Sequence, residues 1–255
     1  MHYSFKKGMP VVSLFYLNLA KCIMKTIKDL KLALCISLFF FPMTNFSASY
    51  PPLTEVACRY EMHITPHNKS QHATTNAWFF WRNASMVQTQ DTGGDQGEIW
   101  QRTATGHIQY RKLYHHDKTA VEYMPADNVT NNMNFDWFKL SAMLSQQELN
   151  ALKPVKKLQV LGKEAELRVG TSNGQAIEVQ WLVDDNLPAS IIKKDSTQTV
   201  ELHLVEISPL ALARQKPITI ADITNYRQID AVDFGDMEND PFVKKVMAAN
   251  GHHSH

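Results

Sequence analysis

The sequence predicts a mainly β fold: a single curved antiparallel sheet or half-barrel of about eleven strands, with a helical pair on the concave side and a short C-terminal helix. Three observations predict it. Short runs from Glu55 onward alternate apolar and polar side chains, the period of a half-buried strand. The links between runs are brief and carry Gly, Asn or Asp, which makes neighbours antiparallel, because a parallel crossover needs about a dozen residues or more. No regular succession of strand and helix occurs, so a Rossmann-type sheet is not expected.

The chain has 255 residues, 44% hydrophobic and 20% charged, with formal net charge +1. That composition excludes a disordered tail protein, a collagen and a multi-span membrane protein. Three cysteines, Cys22, Cys35 and Cys58, supply neither a disulfide framework nor a Cys-based zinc module. From Met24 the order is a basic start (Lys25, Lys28, Lys31), an apolar run from Leu32 to Pro42 and the small residues Ser47, Ala48 and Ser49. This is the order of a secretory signal peptide, and the apolar run is short of the roughly 20 residues of a membrane span. Residues 1–49 are therefore read as a removable leader, with Met24 as the true start and residues 1–23 an over-long gene start; an uncleaved anchor is the competing reading. Neither Cys22 nor Cys35 follows a small residue, so no lipid attachment is expected. The leader takes 6 of the 26 Lys and Arg and 1 of the 25 Asp and Glu, so the remainder carries net charge −4. Nothing in that balance calls for nucleic acid as a partner.

Taken in order, Glu55 to Ile64 is a clean alternating strand with Cys58 on its apolar face, a buried and inert thiol. Asn76 to Arg82 places aromatic residues on both parities, which predicts a strand covered on both faces. Ser85–Asp91, Gly97–Thr103, His107–Tyr114 and Thr119–Met124 extend the meander. A helical insertion over 135–152 follows. Phe138 and Ala142, and Trp137, Leu140 and Leu144, fall at helical spacing, and Ser145-Gln146-Gln147-Glu148 is a capping box that starts a second helix. The second strand series is Val155–Val160, Lys163–Gly170, Gln175–Val183, Pro188–Lys193 and Thr197–Ile207, closing a β half-barrel unit over 50–207. Residues 208–255 form an extension: an irregular connection, an acidic stretch from Asp230 to Asp240, and a helix over 241–250. Asp240-Pro241 opens that helix, since aspartate accepts orphan amides and proline fits the first turn.

Chemistry is sparse. No Gly-x-Ser-x-Gly elbow, Gly-rich phosphate loop or His-Glu-x-x-His helix occurs, so the chain is not read as an enzyme and no cofactor is expected. His63, His67 and His72 straddle a turn, and His115 and His116 are adjacent strand residues that point apart. The terminal His252, His253 and His255 are the remaining weak metal candidates, and a physiological metal site is not expected. The aromatic residues of the first half are the informative feature. Trp78, Phe80, Trp100, Tyr110 and Tyr123 come from successive strands and are the expected lining of an apolar ligand groove, against the plainer reading of a large filled core.

A long antiparallel meander, a mid-chain helical insertion and a second run of strands resemble the periplasmic lipoprotein-carrier superfamily of LolA/LolB-like fold. Its pattern is met in Val160-Leu161-Gly162-Lys163-Glu164-Ala165, Val179-Gln180-Trp181-Leu182, Leu187-Pro188-Ala189-Ser190-Ile191-Ile192 and Val200-Glu201-Leu202-His203-Leu204. The likeness covers residues 55–207 and transfers no functional residue. It implies a soluble periplasmic carrier that holds an apolar small molecule, a lipid or a lipidated protein, with an envelope protein as a transient partner. The alternative is a non-enzymatic envelope accessory protein for metal handling or assembly, acting through the acidic and His-containing C-terminus, a segment in which the sequence departs from those carriers.

Overall fold

The computed structural model describes residues 53–68, 70–124, 135–172 and 174–250. The expected leader over 1–49 and the three terminal histidines lie outside them. The strands are β1 (Val56–Pro66), β2 (Thr74–Arg82), β3 (Met86–Asp91), β4 (Gln96–Arg102), β5 (Ile108–Tyr114) and β6 (Thr119–Tyr123), then β7 (Lys153–Val160), β8 (Lys163–Ser172), β9 (Gln175–Leu182), β10 (Leu187–Lys194), β11 (Gln198–Pro209) and β12 (Arg227–Asp230). Helices α1 (Trp137–Ala142) and α2 (Gln146–Ala151) separate β6 from β7, and α3 (Pro241–Asn250) follows β12.

All twelve strands form one open sheet in the order β12-β6-β5-β4-β3-β2-β1-β11-β10-β9-β8-β7. Two meanders, β1–β6 and β7–β11, are joined by the β1–β11 pairing, which runs from Val56 opposite Pro209 to Pro66 opposite Gln198 with a bulge at Arg59 and Tyr60. The sheet curls around one face. Tyr110 on β5 and Ile177 and Trp181 on β9, from opposite wings, belong to a single apolar core together with Phe138 and Leu140 of α1 and Leu149 of α2. The helical pair sits on that inner face as the sequence predicts. Asp136 caps α1 and the Ser145–Glu148 capping box is formed in both directions.

Where α2 leads into β7 the packing is close. A Cβ added at Gly170 would meet the Leu152 side chain at 2.9 Å and the Ala151 carbonyl at 3.3 Å, so only glycine lets the helix end lie on β8. The apolar parity of β8, Ala165, Leu167 and Val169, is not the one beneath α2. Glu166 and Arg168 share an ion pair of 2.7 Å there, and Arg168 Nη1 donates to the Leu149 carbonyl.

The twelfth strand is one more than the sequence suggests. β12 is four residues long with Ile229 as its apolar member, too little alternation to register as a strand, and it pairs with β6 in parallel. The chain reaches it by crossing the outer face. Trp81 Nε1 donates to the Gln215 carbonyl at 2.8 Å, and Ile223, Ile218 and Tyr226 cover Ile99, Leu113 and Ala120. The Gln88 amide, with its oxygen turned to accept from the Ile218 N–H, also donates to the Ile218 carbonyl, each at 3.0 Å. After β12 the chain returns to the inner face, where Phe242, Val243 and Val246 of α3 pack on Tyr114, Val121 and Ile229. Asp240 accepts from Phe242 N and Val243 N, as the sequence predicts, and also binds Arg227 at 2.7 Å.

Candidate functional site

The β2–β6 wing fixes which side chains share the inner face. Register places Cys58, Phe80, Thr89, Glu98, Lys112 and Val121 in one transverse row. Two residues away along each strand, Val56, Arg82, Val87, Trp100, Tyr110 and Tyr123 make the adjoining row. On the other side Tyr60, Trp78 and Asp91 begin a third.

All five residues expected to line a groove therefore lie on the same face. Trp100, Tyr110 and Tyr123 stack in succession, with ring centroids 5.4 and 4.9 Å apart, and Phe135 meets Tyr110 edge-on at 5.7 Å. Trp78 stacks on Tyr60 at 5.9 Å, and Phe80 stands edge-on to the same ring at 6.2 Å. Such pairs add about 0.5–1.5 kcal/mol each beyond the area they bury. They form two aromatic blocks, one anchored on β1 and β2 and one on β4 to β6.

On the strands of the second block, in the row that holds Phe80, runs a polar stripe that the aromatic pattern conceals. Glu98 is 1% exposed and Lys112, directly opposite it on β5, 9%. Glu98 Oε1 accepts from the Tyr110 hydroxyl at 2.7 Å. Thr89, directly opposite on β3, also hydrogen-bonds the Glu98 side chain, while Gln96 Oε1, Trp78 Nε1 and Trp100 Nε1 are buried without a hydrogen-bond partner among the described residues. Burial pushes the Glu98 carboxyl above the ordinary range, against the pull of Tyr110, Lys112 and Thr89, and lowers the Lys112 ammonium. The Lys112 Nζ lies 5.3 Å from the centre of the Tyr114 ring. A buried polar atom left unmatched costs about 1–3 kcal/mol.

Arg82 is a further buried charge and has a different task. Fully enclosed, it donates to the carbonyls of Thr54, Ser141, Asp185 and Asn186 and to Thr54 Oγ1, at 2.6 to 3.3 Å. It ties the entry to β1, the end of α1 and the β9–β10 turn to one point. Cys58, beside it, is buried and its thiol is pushed far up by desolvation, so it is the inert cysteine the sequence suggests.

Sequence reasoning picked out five aromatic residues that the structure packs into one core on this face, and missed Gln96, Glu98, Lys112 and Arg82. The signal was present: Glu98 shares parity with Trp100, and Lys112 with Tyr110 and Tyr114. His115 and His116 are not strand residues but lie in the turn between β5 and β6. His115 Nδ1 pairs with the Tyr226 hydroxyl at 2.9 Å, while His116 is exposed. Among the described residues no group of three or more His, Cys, Asp or Glu is placed to hold a metal ion.

No family model and no curated protein matches the chain. Among solved structures, PNGF-II is 13% identical with a TM-score of 0.37, covering 72% of this chain and 33% of its own. The MucA/MucB complex of Pseudomonas aeruginosa gives 11% identity and a TM-score of 0.33, covering 67% of this chain and 55% of the matched one. A LolA-superfamily protein of Nitrosomonas europaea gives 9% identity and a TM-score of 0.23, covering 66% of this chain and 89% of its own. The chain thus spans a third of PNGF-II and about half of the MucA/MucB match. A LolA-superfamily protein is thus among the structures the chain is similar to, at low identity and low TM-score.

Proposed function

We propose that this protein is a binding or carrier protein of the cell envelope that holds an apolar ligand, an acyl chain or the lipidated end of a partner, against the inner face of its curved sheet. The observation that carries the reading is the convergence of Trp78, Phe80, Trp100, Tyr110 and Tyr123 on that one face, beneath a helical pair. Binding rests on removing hydrocarbon from water, about 0.8 kcal/mol per CH₂, so affinity rises with chain length. The periplasm is the proposed compartment, on the order of basic, apolar and small residues between Met24 and Ser49. No catalytic role is proposed.

The test uses the protein exported from its own leader. Its N-terminal sequence is expected to begin near Tyr50, and N-phenylnaphthylamine fluorescence is expected to saturate on titration and to be displaced by oleoyl lipids. A chain that retains its leader contradicts the exported form. Absence of saturable binding together with absence of co-purifying lipid by mass spectrometry overturns the carrier reading.

A further inference from the structure

His63 stands close to His67 and His72 in sequence, but the fold gives it a different neighbour. β1 and β11 are adjacent, and their register sets His63 opposite Glu201 and Glu61 opposite His203. These four side chains lie on the outer face, because Tyr60, Met62, Leu202 and Leu204 of the core take the other parity. The two imidazoles stand diagonally across the strand pair, with ring centroids 5.7 Å apart and planes tilted by 49°. Their side chains are 40% and 38% exposed, open to an ion from solvent.

Each ring is held by one of its nitrogens. His63 Nδ1 bonds the Thr75 hydroxyl of β2 at 2.9 Å, and His203 Nε2 bonds the Glu201 carboxylate at 3.1 Å. Metal-ligating histidines are oriented in this way, one nitrogen fixed by an oxygen of the protein and the lone pair of the other left for the ion. The nitrogens left here are His63 Nε2 and His203 Nδ1. Two imidazole nitrogens about 2.1 Å from one ion place their ring centres roughly 4.5–5.5 Å apart, so a small side-chain rotation closes the observed spacing. Glu61 Oε2 lies 4.0 Å from His63 Nε2, while Oε1 is held by Arg59 at 2.9 Å. It brings negative charge to the pair without serving as a third ligand, in keeping with the lack of any three-ligand group among the described residues.

We propose that His63 and His203 form a two-histidine site on the outer face for a divalent late transition ion, copper(II) above nickel(II) or zinc(II), with water completing the coordination. Imidazole suits these ions, whereas calcium and magnesium take oxygen ligands. The site is separate from the aromatic inner face and stands whether or not the protein is a carrier.

The test uses the full chain carrying His252→Ser, His253→Ser and His255→Ser, so that the tail supplies no imidazole. Calorimetric titration with nickel(II) at slightly alkaline pH is expected to saturate at one ion per chain. His63→Ala and His203→Ala are each expected to weaken binding at least tenfold, and the double variant to be little weaker than either, since all three lose the same chelate. His67→Ala is expected to leave affinity unchanged. Circular dichroism checks the fold of each variant. Pulsed electron paramagnetic resonance of the copper(II) form, with both histidines intact, is expected to show two coordinated imidazoles and needs no variant of the pair. Absence of saturable nickel binding, unchanged affinity in either folded single variant, an equal loss in His67→Ala, or the signature of a single imidazole each overturns the site.

Discussion

Arg82 shows how much one side chain can hold. Its planar guanidinium meets four carbonyls and a hydroxyl from three separate stretches of chain, and its distances fit all of them at once. Lysine carries the same charge as a single compact ammonium that cannot reach these partners together. Arg82→Lys is therefore expected to lower unfolding stability by about 3 kcal/mol, through a buried charge and several carbonyls left unmatched. Urea titration of the two proteins checks it, and a loss below about 1 kcal/mol would show that the carbonyls find other donors. The position was legible in sequence as a strand residue and illegible as a hub, because its partners lie 28 to 104 residues away. The same limit hid the polar stripe. Glu98 and Lys112 sit fourteen positions apart, and nothing local says that they stand opposite each other until the β4–β5 register does. The aromatic residues could be found because size and apolarity mark a buried face whatever their neighbours are.

At the level of elements, local rules were sufficient wherever the determinant was itself local. The capping box at Ser145 and the Asp240-Pro241 start of α3 are formed as read, since each needs only the four residues around it. The strands of the two meanders fall within a few residues of their expected bounds, because alternation and turn residues are short-range signals. β12 was missed for the opposite reason: its pairing with β6 is made across more than a hundred residues and owes little to its own composition. One tight turn also departs from local preference. Leu161 and Gly162 join β7 to β8 with φ of 52° and 75°, and the first of these suits asparagine far better than leucine. Leu161 is half exposed, so little packing is lost by replacing it. Leu161→Asn is expected to raise stability by about 0.5–1 kcal/mol, seen as a higher urea midpoint at unchanged slope. A lower midpoint would mean that the leucine side chain has a contact worth more than the backbone strain.

The whole molecule is a sheet wrapped by its own C-terminal segment, and this alters how function at that end can be examined. The extension runs over the outer face through Gln215, Ile218 and Ile223, adds β12 at the sheet edge, and returns with α3 on the inner face. Asp230 and Asp240, part of the acidic stretch, are bound as caps, and Lys245 of α3 pairs with Asp117 at 2.7 Å. Removing this end to ask whether it handles metal or assembly partners therefore removes part of the fold. Ending the chain at Tyr226 takes away Ile229, Phe242, Val243 and Val246 and uncovers Tyr114 and Val121. At roughly 1.5–3 kcal/mol for each large apolar side chain, the loss is expected to exceed about 5 kcal/mol, comparable with the whole stability of an ordinary domain. The truncated protein is then expected to unfold at much lower urea and to bind apolar dyes without saturation. If its midpoint matches that of the intact chain, α3 and β12 are an appendage, and loss of a biological activity on deletion could be assigned to the segment itself. If the midpoint falls as expected, the acidic surface is better tested by neutralising the exposed Asp233 and Asp236, which leaves the caps and the α3 packing in place.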